Sequence, residues 1–118
     1  MRFLHKKIIF IFAIFLSQFI SSDLSKLNVP EGFEISVFNA EITNPRQMVE
    51  GDDYIFVGSR SAGNVYAIKK DNSTESLVLL EDLNAPSGVA LHEGNLYIAE
   101  VDKILIIKNI EQRMELGT

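Results

Sequence analysis

The sequence predicts an all-β fold of β-propeller type, of which about two blades are present, and three observations carry that reading. First, "ITNPRQMVEGDDYIFVGSRSAGNVYAIKK" returns 41 residues later as "LNAPSGVALHEGNLYIAEVDKILIIKN". At that offset Ile42 matches Leu83, Pro45 matches Pro86, Val49 matches Ala90, Phe56 matches Tyr97, Val57 matches Ile98 and Gly58 matches Ala99. After a two-residue deletion, Val65 meets Ile104 and Ile68 meets Ile107. Second, the runs inside each copy are short, β-branched and aromatic, as pleated half-buried strands require, and "GDD", "EGN" and "KDNST" between them are turn chemistry. Third, these apolar runs lack a helical period. A period near 41 with strand-like contents is the length of one four-stranded propeller blade.

The elements follow in chain order. "MRFLHKK" is short and basic, "IIFIFAIFLSQFI" is an apolar run of 13 residues, and "SS" supplies small residues before Asp23. This is the order of a secretory signal peptide over residues 1–22, cut after Ser22. A helix of 13 residues rises about 20 Å, short of the roughly 30 Å hydrocarbon core, so membrane attachment enters only as an uncleaved signal segment. The chain has no Cys to lipidate and no Arg pair for the twin-arginine route. The expected location is therefore exported, periplasmic or secreted. Residues 23–31 read as a linker and 32–118 as the partial propeller.

Within 32–118, "FEISVF" alternates Phe33, Ile35 and Val37 against Glu34 and Ser36, the pattern of a half-buried strand. Each repeat copy then reads as strand, tight turn, strand, short loop, strand. "SLVLL" holds before the second copy the place that "FEISVF" holds before the first. A unit that begins one strand early suits a propeller in which the first strand of the chain completes the last blade and removes an exposed edge. The one segment with helical potential lies in residues 1–22. Two repeats fall short of the roughly four to eight blades of a closed propeller. The expectation is therefore the N-terminal piece of a longer protein, with a small β-sandwich or a self-assembling two-blade unit as alternatives.

Composition narrows the function. Removing residues 1–22 takes Arg2, Lys6 and Lys7 from the 11 basic residues and leaves 8, against 16 acidic, a formal charge of −8. Nucleic acid is a poor partner for such a surface, because phosphate binding needs Lys and Arg clusters. With no Cys, stability rests on packing rather than disulfides, and cysteine-held zinc is impossible. No G-x-S-x-G, H-E-x-x-H or phosphate-cradling Gly loop occurs.

The stretch from Val29 to Glu111 resembles the opening of the glucose/sorbosone dehydrogenase family, closer to its sorbosone dehydrogenase-like members. The resemblance rests on residues 30–38, "VGSR" at 57–60, "GNVYAI" at 63–68 and "GVALHEGNLYIAEVDKIL" at 88–105. "GVA…GNLYIAE" also occurs in NHL and gluconolactonase-like propeller repeats, so the combination in order carries the resemblance. It implies an exported six-bladed propeller that oxidises a sugar or polyol hydroxyl or aldehyde using pyrroloquinoline quinone, usually with calcium, and that passes electrons to an acceptor. It also implies that the catalytic base, a His, and most quinone and calcium contacts lie beyond Thr118. The glucose-oxidising branch carries a Gln in the loop that here reads "NAPS". Either this member binds its cofactor differently on that side, or it has left the quinone chemistry. Two alternatives stay open: an NHL-like propeller binding a polysaccharide, peptide or protein, and a lactonase-like hydrolase with a metal held by carboxylates.

Propeller geometry ranks the residues. The loops "NPRQ" at 44–47, "SRSAG" at 59–63, "NAPS" at 84–87 and "EVDK" at 100–103 are expected on one mouth, where a rigid scaffold lets loops converge. Arg60 leads, matching an Arg in the family's "GTR" pattern; its guanidinium suits a quinone carboxylate or a sugar oxygen, or a salt bridge to Glu100 or Asp102. Arg46 and Asn84 are cofactor- or substrate-binding candidates that could equally hold turns. Glu100 and Asp102 could bind a cation or polarise a hydroxyl, or merely solvate a strand end. Asp52, Asp53 and "DNSTE" at 71–75 read as turn acids. His92 is the one His left after residue 22 and falls in a hairpin turn away from the mouth. "NST" at 72–74 is an N-glycosylation acceptor only in a source that performs that modification.

Overall fold

The computed structural model describes residues 23–117. The signal-peptide reading of residues 1–22 falls outside them. The chain divides into two compact units, Met1–Ile35 and Ser36–Thr118. In the described part of the first, a 3-10 turn at Leu24–Lys26 is capped by Asp23, whose carboxylate accepts the Ser25 amide at 3.1 Å. No helix among the described residues is long and apolar enough to cross a membrane.

The second unit is all-β apart from one short helix. Strands β1 (Pro45–Glu50), β2 (Tyr54–Ser59), β3 (Val65–Lys69) and β4 (Ser76–Leu80) form one antiparallel sheet in sequential order. Strands β5 (Gly88–His92), β6 (Asn95–Ala99) and β7 (Ile104–Ile107) form a second. The two sheets do not close into a barrel; β1 lies against β5. The repeat thus reappears as two meanders with matching registers. Phe56 sits opposite Ala67 in the first sheet, and its repeat equivalent Tyr97 sits opposite Ile106 in the second. "SLVLL" is β4, the outer strand of the first sheet, paired with β3.

The hairpin between β5 and β6 shows why the sequence turns where it does. His92 pairs with Asn95, leaving Glu93 and Gly94 as a two-residue loop with φ of 49° and 76°. Two positive φ values define the primed turn whose twist matches that of the strands, and Gly is the residue that enters it without steric cost.

Burial follows from the strand alternation. One face of the first sheet, centred on Phe56, Val65 and Ala67, packs on Leu96 and Ile98 of the second. Phe56, Val65, Leu96 and Ile98 are each 0% exposed. Each such side chain contributes about 1.5–3 kcal/mol by leaving water. The centre of the other face of the first sheet is also buried, with Val57, Tyr66 and Ile68 packed by Ile42 and Ile55, while Met48 and Val78 on that face stay exposed. The segment ahead of β1 is fastened there, the Thr43 amide donating to the Tyr66 hydroxyl at 3.4 Å and the Asn39 carboxamide to the Ser73 carbonyl at 2.7 Å.

Two expectations need correction. Residues 33–38 form no strand, and Phe33, Ile35, Val37 and Phe38 are exposed. Alternation selects the face a strand would bury, but a strand exists only where a partner edge supplies its ladder of hydrogen bonds. Helical potential, in turn, was expected only within residues 1–22, yet Ile110–Leu116 forms helix α1. Ile110 and Met114, four apart on one face, reach the core between the sheets. Gly117 ends the helix in the left-handed conformation, its amide reaching back to the Arg113 and Met114 carbonyls.

Candidate functional site

The site begins with how β2 ends. Ser59 is fully buried, and its hydroxyl donates to the Asn64 carbonyl at 2.7 Å while accepting the Asn64 amide at 2.9 Å. This clasp closes the loop 59–64 at its base and lifts Arg60 to its exposed tip. Asn44 precedes β1 with a φ of 50°, and its carboxamide oxygen accepts the Ser61 hydroxyl at 2.6 Å. The register of β1 on β2 slips between Pro45 and Met48, so Arg46 and Gln47 occupy a bulge. Bulges re-aim side chains at strand ends. Here Asn44, Pro45, Arg46, Arg60 and Ser61 line one shallow depression.

The remaining two loops join the same end of the unit. The Leu83 amide donates to the Gly63 carbonyl at 2.9 Å, fastening the loop ahead of β5 to the loop after β2. The Asn84 amide donates to Glu100 Oε1 at 2.6 Å, and the Val101 amide returns to the Asn84 carbonyl at 3.1 Å. Asn84 is therefore held by its backbone and keeps an exposed side chain. The turns Gly51–Asp53 and Glu93–Gly94 lie at the opposite ends of these strands, and His92 is there, its imidazole 73% exposed and 3.9 Å from the Glu93 carboxylate. Four loops thus gather at one end of the strands.

The charges at the mouth are arranged unevenly. Glu100 has a side chain only 3% exposed; its second oxygen is sequestered from solvent, with Lys103 Nζ at 3.0 Å as counter-charge rather than a well-aligned hydrogen bond. The Asn84 amide and then the Lys103 ammonium hold the Glu100 carboxyl below its ordinary value of 4.5. Asp102 approaches the same ammonium at 3.1 Å, and the two carboxylates keep Lys103 above its ordinary 10.5. Arg46 and Arg60, in contrast, have no carboxylate in salt-bridge range among the described residues. The salt bridge from Arg60 to Glu100 or Asp102, one of the two roles considered for it, does not form.

Sequence reading placed Arg60, Arg46, Asn84, Glu100 and Asp102 at one end of the sheets, and the structure brings Arg60 and Arg46 to one depression and Glu100 and Asp102 to one lysine. The loops it named contain Asn44 and Ser61, but it did not single them out as members of the arginine cluster; Gln47 lies instead beside Gly88. The signal for Asn44 was its place before Pro45, a turn-forming pair; the bulge at Gln47 left no local trace. No group of three or more His, Asp or Glu side chains suited to a metal occurs among the described residues.

No family model matches the chain. An uncharacterized protein of Borreliella burgdorferi is 33% identical over 92 residues, which are 76% of this chain and 24% of that protein. The chain thus spans about a quarter of the length of the curated relative it matches. Among solved structures, the crystal structure of Pyrococcus horikoshii Ph1500 overlays on 68% of this chain and 52% of its own, at 16% identity and a TM-score of 0.42.

Proposed function

We propose that this chain is the N-terminal part of an exported six-bladed β-propeller that oxidises a sugar or polyol with pyrroloquinoline quinone. The two stacked sheets serve as its first two blades, with β1 and β5 as their channel-side strands. The observation that carries the reading is the pair Arg46 and Arg60, two guanidinium groups without a carboxylate partner among the described residues, at the loop end of a chain that is acidic overall. The quinone is a tricarboxylate, and a guanidinium offers the planar donor pair that a carboxylate accepts. The residues present fit that group. When bound, it supplies the two-electron acceptor for the hydride leaving a substrate C–H bond, while the hydroxyl proton goes to a base. Within these 118 residues the roles are to hold and orient: Arg46 and Arg60 toward carboxylates, and Asn84 toward a sugar hydroxyl or a quinone oxygen.

Calcium does not fit Glu100 and Asp102. Lys103 pairs with both carboxylates and leaves the trio only one net negative charge, and Glu100 is also committed to the Asn84 amide. A calcium site in the proposed enzyme draws its ligands from elsewhere.

The test is to express the protein with its downstream sequence, add pyrroloquinoline quinone and calcium, and follow dye reduction across a panel of sugars. Arg46→Ala and Arg60→Ala are each expected to weaken cofactor binding about tenfold or more, the loss of a charge-assisted bond. Absence of dye reduction together with an unchanged cofactor absorbance on mixing sinks the dehydrogenase reading. Retention of anionic polysaccharide by the same protein, lost in the arginine variants, would then identify a binding propeller that uses the same two residues.

A further inference from the structure

The second sheet has one face that no other sheet covers among the described residues; only Gln47 of β1 reaches its edge, beside Gly88. Ala90, Tyr97 and Ile106 stand in one cross-strand row and Ala99 and Ile104 in the next, all on the side away from the first sheet. Ile104 is 72% exposed and Ile106 46%. No carboxylate interrupts these rows, although the chain is acidic overall.

The internal repeat says what such a face is for. Tyr97, Ala99 and Ile104 are the repeat equivalents of Phe56, Gly58 and Val65, and Ile106 falls at the place of Ala67. In the first sheet that face is buried against the second. The residues that receive it, Val89, Leu91, Leu96 and Ile98, are in turn the equivalents of Met48, Glu50, Ile55 and Val57. The first sheet therefore meets the second through one fixed pair of faces, and the second carries the donor face of that pair again, uncovered.

We infer that the face formed by Ala90, Tyr97, Ala99, Ile104 and Ile106 seats a third antiparallel sheet of the same repeat, contributed by the polypeptide downstream of Thr118. The inference rests on the proposed longer propeller and adds its packing register. The matched relative, of which this chain spans 24%, has the length to supply such sheets. One position breaks the equivalence in a way that shapes the interface. Gly58 lies so close to the Pro86 and Ser87 carbonyls that a Cβ there would collide with them, whereas Ala99 carries a Cβ. The leading loop of the third sheet stands off from Ala99 by about a methyl group, leaving the mouth wider there than beside Gly58.

The absence of Cys from the chain permits a direct test. Ile106→Cys and Ile104→Cys place single thiols on the face; Val101→Cys places one on the rim loop as a control, at a residue 74% exposed. Maleimide labelling is measured in the 118-residue chain, at several concentrations, and in the protein expressed with its downstream sequence. Expected is rapid, concentration-independent labelling of all three in the short chain, and at least tenfold slower labelling at 104 and 106, but not 101, in the long one. Equal labelling in both overturns the inference, as does a reading frame that closes at Thr118. Protection that grows with concentration in the short chain also overturns it, because a second copy then covers the face. Labelling is read without cofactor or sugar, so a failed dye-reduction assay leaves this result standing.

Discussion

The two copies of the repeat share a register and a strand order, yet they live in different surroundings. The first sheet is covered on one face by the second sheet and at the centre of the other by the packing of Ile42. The second is covered on one. The comparison separates what the repeat encodes, a meander with fixed inside and outside rows, from what neighbours decide, which is how much each row is worth. Phe56 and Tyr97 make the sharpest test. Phe56→Ala is expected to cost about 3–5 kcal/mol, the range for deleting a fully buried aromatic side chain. Tyr97→Ala, at the equivalent but half-buried position, should cost less than half as much in the 118-residue chain. Urea unfolding of both variants checks this; equal losses would break the comparison.

Gly58 and Ala99 differ in the opposite sense. A methyl group at Gly58 meets the Pro86 carbonyl and, at 2.8 Å, that of Ser87, both of them backbone atoms with little room to yield. Gly58→Ala is expected to destabilise by about 1–3 kcal/mol through overpacking. Ala99→Gly removes a methyl from an exposed strand position and should cost only about 0.5–1 kcal/mol in chain entropy. A melting-temperature shift larger for Ala99→Gly than for Gly58→Ala would contradict the stacking.

What could be read from the sequence divides along the same line. The repeat and turn chemistry located the seven strands of the described residues, because alternation, β-branching and Gly-containing turns act within a few residues. The strand expected at residues 33–38 had the same local pattern and failed, since pairing is decided by whether a partner edge is present. Helix α1 was missed because seven residues give too little period to register, and because Glu111 acts on residues nearly 60 positions earlier. At the mouth, loop positions were legible from strand order, but Lys103 as the shared partner of Glu100 and Asp102 was not. Nor was the slip that puts Arg46 in a bulge.

Glu111 extends the comparison to the turns. The first copy's β1–β2 turn is held from outside: the Asp52, Asp53 and Tyr54 amides all donate to the Glu111 carboxylate, at 3.0, 2.9 and 3.1 Å. The second copy's β5–β6 turn closes on a two-residue loop and is tied to the start of α1 through its backbone rather than by a carboxylate, the Ile110 amide donating to the Gly94 carbonyl at 3.0 Å. Glu111→Ala is expected to lower stability by about 1 kcal/mol, comparable to losing a helix cap. Amide exchange should accelerate at 52–54 and stay unchanged at Leu96 and Tyr97; uniform acceleration would show that the helix, not the carboxylate, secures the turn.

The smallest effect concerns pH. Ser59 and Glu100 are repeat equivalents, and each fastens a rim loop, but one does so with a hydroxyl and the other with a carboxylate. Glu100 is held below its ordinary value of 4.5, first by the Asn84 amide and then by Lys103. A carboxyl whose folded value is depressed stabilises the fold above its unfolded value, and that contribution fades as pH falls through the folded one. The window therefore lies below about pH 4.5, and the second copy's loop should loosen there while the first copy's loop does not. Amide resonances of Asn84 and Val101 are expected to shift and exchange faster on acidification from pH 6 to 3, with Asn64 unaffected. Glu100→Gln should remove the pH dependence at Asn84, because the carboxamide oxygen still accepts the amide proton but no longer titrates. A persistent acid response in that variant would show that Glu100 is not its source.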